Sequence, residues 1–85
     1  MIQVRWLRCI ATVEWHSGTR GLEFPLAIVQ AHERVPVDVE GSWVEGSAIA
    51  GEPARRIFVV RDASGERWRV TADEKAVLLV ERGTS

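Results

Sequence analysis

Ile57-Phe58-Val59-Val60-Arg61-Asp62-Ala63-Ser64-Gly65-Glu66-Arg67-Trp68-Arg69-Val70-Thr71 is the stretch on which the fold turns. Its two apolar flanks are rich in β-branched and aromatic side chains, which fit the pleated surface of a strand. Between them lies a turn with its own chemistry: Asp opens a type I turn well, and Gly suits the left-handed residue of a bulged hairpin. If Asp62 pairs with Glu66, then Val60 faces Trp68 and Phe58 faces Val70, an apolar quartet on one side of a hairpin. Arg61, Arg67, Arg69 and Thr71 share the other side with Ile57 and Val59.

The chain around this hairpin also favours strands. Twelve Val and five Ile stand against five Leu, and branching at Cβ favours strand over helix. Near the N-terminus Ile2, Val4 and Trp6 alternate with polar residues. The apolar phase then passes to Leu7, Cys9, Ala11, Val13 and Trp15, a change of parity expected from a bulge or sharp bend after Trp6. His16 to Gly21 reads as a turn. Leu22 to Gln30 reads as a strand that Pro25 confines to an edge or bulge, with a short helix from Pro25 to Arg34 as the alternative. Val35, Val37 and Val39 form another strand, Gly41-Ser42 turns it, and Trp43-Val44 begins a return. Residues 45–54 read as the longest loop.

After the hairpin, Thr71-Ala72-Asp73-Glu74 has the form of a capping box, Thr followed three residues later by Glu. One helical turn over 71–75 leading into a buried strand, Ala76 to Val80, is the favoured continuation. A helix over 72–82 is the alternative, disfavoured because five consecutive apolar residues would encircle it. The order hairpin, helical turn, final strand resembles the closing half of an SH3-like barrel. The expected fold is therefore all-β: residues 1–85 as one strongly bent barrel of five or six strands, with a short flexible tail over 83–85. The tyrosine-lined groove of peptide-binding SH3 domains is not recognisable, since the chain has no Tyr.

Composition excludes several function classes. The 85 residues, 46% hydrophobic and 27% charged with a net charge of −1, describe an ordinary globular domain without a basic field to draw it to nucleic acid or lipid. A single cysteine permits neither an internal disulfide nor a Cys-based metal cage. Arginines interrupt the N-terminal apolar residues, so no signal peptide is read there, and the longest apolar run is too short to cross a membrane as a helix. The expected location is the cytoplasm. Cys9, His16 and His32 are scattered without metal-ligand spacing, phosphate-binding loops are absent, and Asp38 and Glu40 read as a solvated strand edge. Neither a catalytic constellation nor a cofactor site is expected.

Charge order says more than net charge. Residues 54–70 carry five Arg against Asp62 and Glu66, a local excess of +3, while residues 33–45 carry an excess of −3. The candidate binding residues are Arg55, Arg56, Arg61, Arg67 and Arg69, as anion contacts, and Trp43, as an aromatic anchor for a partner. The leading expectation is a non-catalytic binding or accessory module that docks a protein partner, or a second copy, through Trp43 and a sheet edge. The runner-up is a small nucleic-acid-binding barrel using the arginines. A third reading is a small enzyme or ligand-binding subunit whose site forms only in an oligomer.

Overall fold

The computed structural model describes residues 3–16, 23–46, 51, 54–73 and 76–84. They form seven antiparallel strands: β1 (Arg5–Arg8), β2 (Thr12–His16), β3 (Phe24–Gln30), β4 (Glu33–Glu45), β5 (Arg55–Asp62), β6 (Arg67–Ala72) and β7 (Val77–Thr84). The sheet order is β1-β7-β6-β5-β4-β3-β2, and the sheet curls into a half-barrel. The all-β expectation holds; the count of five or six strands does not.

The β5–β6 hairpin has the expected register, with Val60 opposite Trp68 and Phe58 opposite Val70. All four belong to the buried core, joined by Ile28, Val37 and Val80. Its turn closes through Asp62 N–H to the Glu66 carbonyl at 2.9 Å and Gly65 N–H to the Asp62 carbonyl at 3.1 Å. Gly65 takes φ +89°, a conformation that costs an L-residue roughly 1–2 kcal/mol. The Asp62 side chain completes the turn. Its Oδ1 accepts from the Ser64 and Glu66 amides and the Ser64 hydroxyl, and its Oδ2 accepts from the indole N–H of Trp68 at 3.1 Å. Burial alone would push this carboxyl up, but the hydrogen bonds from Ser64, Trp68 and the two amides outweigh it and hold its pKa below the usual value.

Corner formation rests on β4. Residues 33–36 pair with β3 and residues 37–45 pair with β5, so the strand changes partner at Pro36. The expected turn at Gly41-Ser42 is absent: β4 continues through it and on through Trp43, with a bulge between Val39 and Gly41 absorbing the irregularity. Pro25 sits beyond the last β3–β4 pair, Ala27 with Pro36, so its missing N–H leaves no ladder bond unmade on that side. The helical alternative over 25–34 is replaced by strand because Ile28 belongs to the core sheet and is fully buried.

No helix occurs among the described residues. Thr71 and Ala72 belong to β6, paired with Leu79 and Val77, so the helical turn over 71–75 and the helix over 72–82 are both corrected. A hydrogen-bonded turn stands there instead, with Asp73 N–H to the Ala76 carbonyl at 3.0 Å and Ala76 N–H to Asp73 Oδ1 at 2.8 Å. Asp73 closes a hairpin where Thr71 and Glu74 suggested a cap, because Ala72 is needed in the strand and is buried. Glu74 and Lys75 lie outside the described residues. Gly83 and Thr84, read as tail, are strand paired with Trp6 and Arg5. Residues 17–22, covering most of the expected turn after His16, lie outside the described residues, as do 47–50 and 52–53 of the expected loop.

The N-terminal parity change has another cause than a bulge after Trp6. β1 pairs with β7 without a register shift. Trp6 instead lies on the outer face, packed over Gly83, with the Arg69 guanidinium 4.8 Å from its ring centroid. The chain leaves the strand at Cys9–Ala11, and β2 then joins the opposite edge of the sheet.

Candidate functional site

Among the openings of the described residues, two on the barrel wall follow from this architecture. The first is a wedge where β4 abandons β3 for β5. Its cleft, about 400 Å³, is lined by Glu23, Phe24, Pro25 and Leu26 on one side and by Val37, Asp38, Val39, Ser42, Arg56 and Phe58 on the other. Alternation turns Val37 and Val39 inward and Asp38 outward, beside its register partner Arg61. Arg56 stands over the Phe58 ring, 5.2 Å from its centroid, and donates one bond to the Glu23 carbonyl at 3.3 Å.

The second opening is a seam between β2 and β7. Among the described residues, β1 covers β7 only over Glu81–Thr84, and β2 pairs only with β3. Cys9 N–H reaches the Val80 carbonyl at 2.8 Å and pins one end. Beyond that pin the two strand edges diverge around a slot of about 460 Å³, lined by residues 8–13 and 77–80. Leu78 has no register partner on β6, because Thr71 pairs with Leu79 and Ala72 with Val77. Ile10 is 99% exposed and Leu78 48% exposed at the rim.

The expected site residues are dispersed over both faces. Arg55, Arg61, Arg67 and Arg69 fall on the outer face by alternation, and Arg56 falls on the inner one. Two of the outer arginines are engaged: Arg67 with Glu40 at 2.9 Å, and Arg69 with Glu81 at 2.8 Å beneath Trp6. The +3 and −3 stretches are therefore neighbours in one sheet, and Arg67–Glu40 joins them directly. Arg55 and Arg61 make no ion pair among the described residues. Trp43 is in β4 rather than a loop, 44% exposed, with its indole N–H 3.3 Å from Glu45 Oε1. Across the sheet its row runs through Ile57 and Thr71 to Leu79, placing Trp43 three strands, roughly 14 Å, from the seam.

On the other side of the corner a further pair bridges three strands. Arg34 of β4 grips Glu14 of β2 with two bonds of 2.7 and 2.9 Å, spanning β3 on the outer face. That hydrogen bonding lowers the Glu14 pKa and raises that of Arg34. Arg82 pairs with Glu66 and stacks on Trp68.

This chain matches no family model, no curated protein and no solved structure. Its own geometry carries the functional argument. Among the described residues, no group of three or more His, Cys, Asp or Glu gathers to hold a metal ion, and no helix is long and apolar enough to cross a membrane.

The sequence reading missed Phe24, Val39 and Ser42 of the wedge and Ile10 and Leu78 of the seam. A signal for Ile10 was present. It is the one apolar residue out of phase with Leu7, Cys9, Ala11, Val13 and Trp15, and an out-of-phase apolar residue in an alternating strand points away from the core. Nothing local marks the wedge, which arises from the partner change of β4.

Proposed function

We propose that this chain is a non-catalytic binding module that docks an extended protein segment, from a partner or from a second copy, along the β2–β7 seam. The observation that carries this reading is the pair of strand edges left unpaired and facing each other, with Ile10 and Leu78 exposed at the rim. An inserted strand gains backbone hydrogen bonds from such edges and side-chain pockets from the alternate residues of each. Trp43 serves as a separate anchor for the body of the partner. The relation to SH3-like barrels rests on β5, β6 and β7 alone. A cytoplasmic location suits the free thiol of Cys9.

The nucleic-acid reading is the weaker of the two, since Arg67 and Arg69 already hold carboxylates and Arg56 stands on the opposite face from the rest. The test is sedimentation velocity over a range of concentrations, together with an amide-shift titration using extended peptides of alternating valine and threonine. Association or peptide shifts centred on β2 and Val77–Leu79, abolished by Leu78→Pro in a folded chain, support the proposal. A monomer whose seam amides respond to no peptide counts against it.

A further inference from the structure

We infer that the wedge between β3 and β4 is a binding site for a small amphipathic carboxylate, an aliphatic or aromatic acid whose apolar tail enters the cleft and whose carboxylate meets Arg56. This site is distinct from the seam and does not depend on it. Three observations converge. The volume of about 400 Å³ lies in the lower part of the range of small-molecule sites, roughly 300–1,000 Å³. The lining is mainly apolar, with Phe24, Pro25, Leu26, Val37, Val39 and Phe58. Phe24 and Val39 present 39% and 37% of their surface to solvent, apolar area that a ligand tail would remove from water.

Charge complementarity selects the head group. Arg56 is held in place from two sides, by the Phe58 ring beneath it and the Glu23 carbonyl that takes one N–H. A guanidinium has five N–H donors in a planar fork, and the others have no partner among the described residues. The fork is thus pre-positioned at the cleft for a bidentate oxyanion, the geometry in which Arg outperforms Lys. Arg67, Arg69, Arg34 and Arg82 differ from it on this point, since each already holds a carboxylate. Glu23 and Asp38 also border the cleft; Arg56 meets Glu23 at its backbone carbonyl and not at its carboxylate, and the place of Asp38 in the alternation of β4 directs it to the outer face, toward Arg61.

The probes are octanoate, octan-1-ol and octylamine, titrated separately into the full chain below their aggregation limits and followed by amide chemical shifts. Octanoate is expected to shift Phe24, Val39, Ser42 and Phe58. Octanol should bind the same place roughly ten- to a hundredfold more weakly, the usual effect of losing a charge-assisted hydrogen bond, and octylamine more weakly still. Arg56→Gln should bring octanoate down to the affinity of octanol and leave octanol unchanged; Phe24→Ala should weaken both. The comparison among probes on the unaltered chain needs no variant to fold. Equal affinity for octanol and octanoate would overturn the inference, as would the absence of any shift in the wedge or shifts centred on Ile10 and Leu78.

Discussion

Two hairpin turns in this molecule do the same geometric job by opposite means. The β5–β6 turn is written in its residues: Asp62 accepts four hydrogen bonds through its side chain, and Gly65 takes the left-handed conformation freely. The β3–β4 turn is two residues, Ala31 and His32, between the paired Gln30 and Glu33. Ala31 is the only non-glycine residue with positive φ among the described residues, at +22°, where none of the side-chain hydrogen bonds of the β5–β6 turn has a counterpart among the described residues. One turn specifies its hairpin. The other is imposed by the strands it joins, whose Ile28 and Val35 must both face the core.

The contrast can be broken most severely at Asp62. Asp62→Ala removes the acceptor for three donors in the turn and for the buried Trp68 indole, and is expected to cost about 3 kcal/mol in urea unfolding. A loss under about 1 kcal/mol would mean that the turn is held by its strands after all. Gly65→Ala should cost about 1–2 kcal/mol through φ alone, since an added Cβ meets nothing closer than the Arg61 guanidinium at 3.6 Å. Ala31→Gly should act in the other direction, stabilising by about 0.5–1 kcal/mol as the positive φ is relieved. A destabilising Ala31→Gly would place the β3–β4 turn in the same self-specified class as its counterpart.

A pH series sharpens the same comparison with the smallest effect. The folded-state pKa of Asp62 is lowered, so its stabilisation is fully present above the unfolded value of about 3.9 and is lost as pH falls through the lower folded value. The stability advantage of the parent chain over Asp62→Asn should therefore be constant near neutrality and shrink below about pH 4. An advantage that persists unchanged into strong acid would remove the carboxylate from the account.

What was legible in the sequence divides along this line. The quartet Phe58, Val60, Trp68 and Val70 was readable with its register because period-two alternation and the turn residues lie within fifteen consecutive positions. The β4 strand was cut short at Gly41-Ser42 because glycine and serine usually end strands, whereas here they follow a bulge that a long, partner-switching strand requires. The capping-box pattern at Thr71 misled for a similar reason. Side chains that cap helices also close turns, and the pairing of Ala72 with Val77 prevails over local preference. Of the candidate binding residues, Arg56 was both named from sequence and placed in the wedge between β3 and β4. Its separation from Arg55, Arg61, Arg67 and Arg69 follows from strand alternation, but a cleft beside it depends on where β4 changes partner, which no local pattern records.

The apolar run Ala76 to Val80 bears most directly on function. It reads as a strand buried on both faces, yet Leu78 is half exposed because β1 leaves that part of β7 uncovered. Amide hydrogen exchange on the dilute monomer tests whether the half-barrel is open there. Leu78 and the β2 amides directed away from β3 should exchange orders of magnitude faster than Val60 of β5 and Val70 of β6, whose strands each lie between two partners. Equal protection of Leu78 and Val70 in the monomer would contradict the account, because the seam would already be closed.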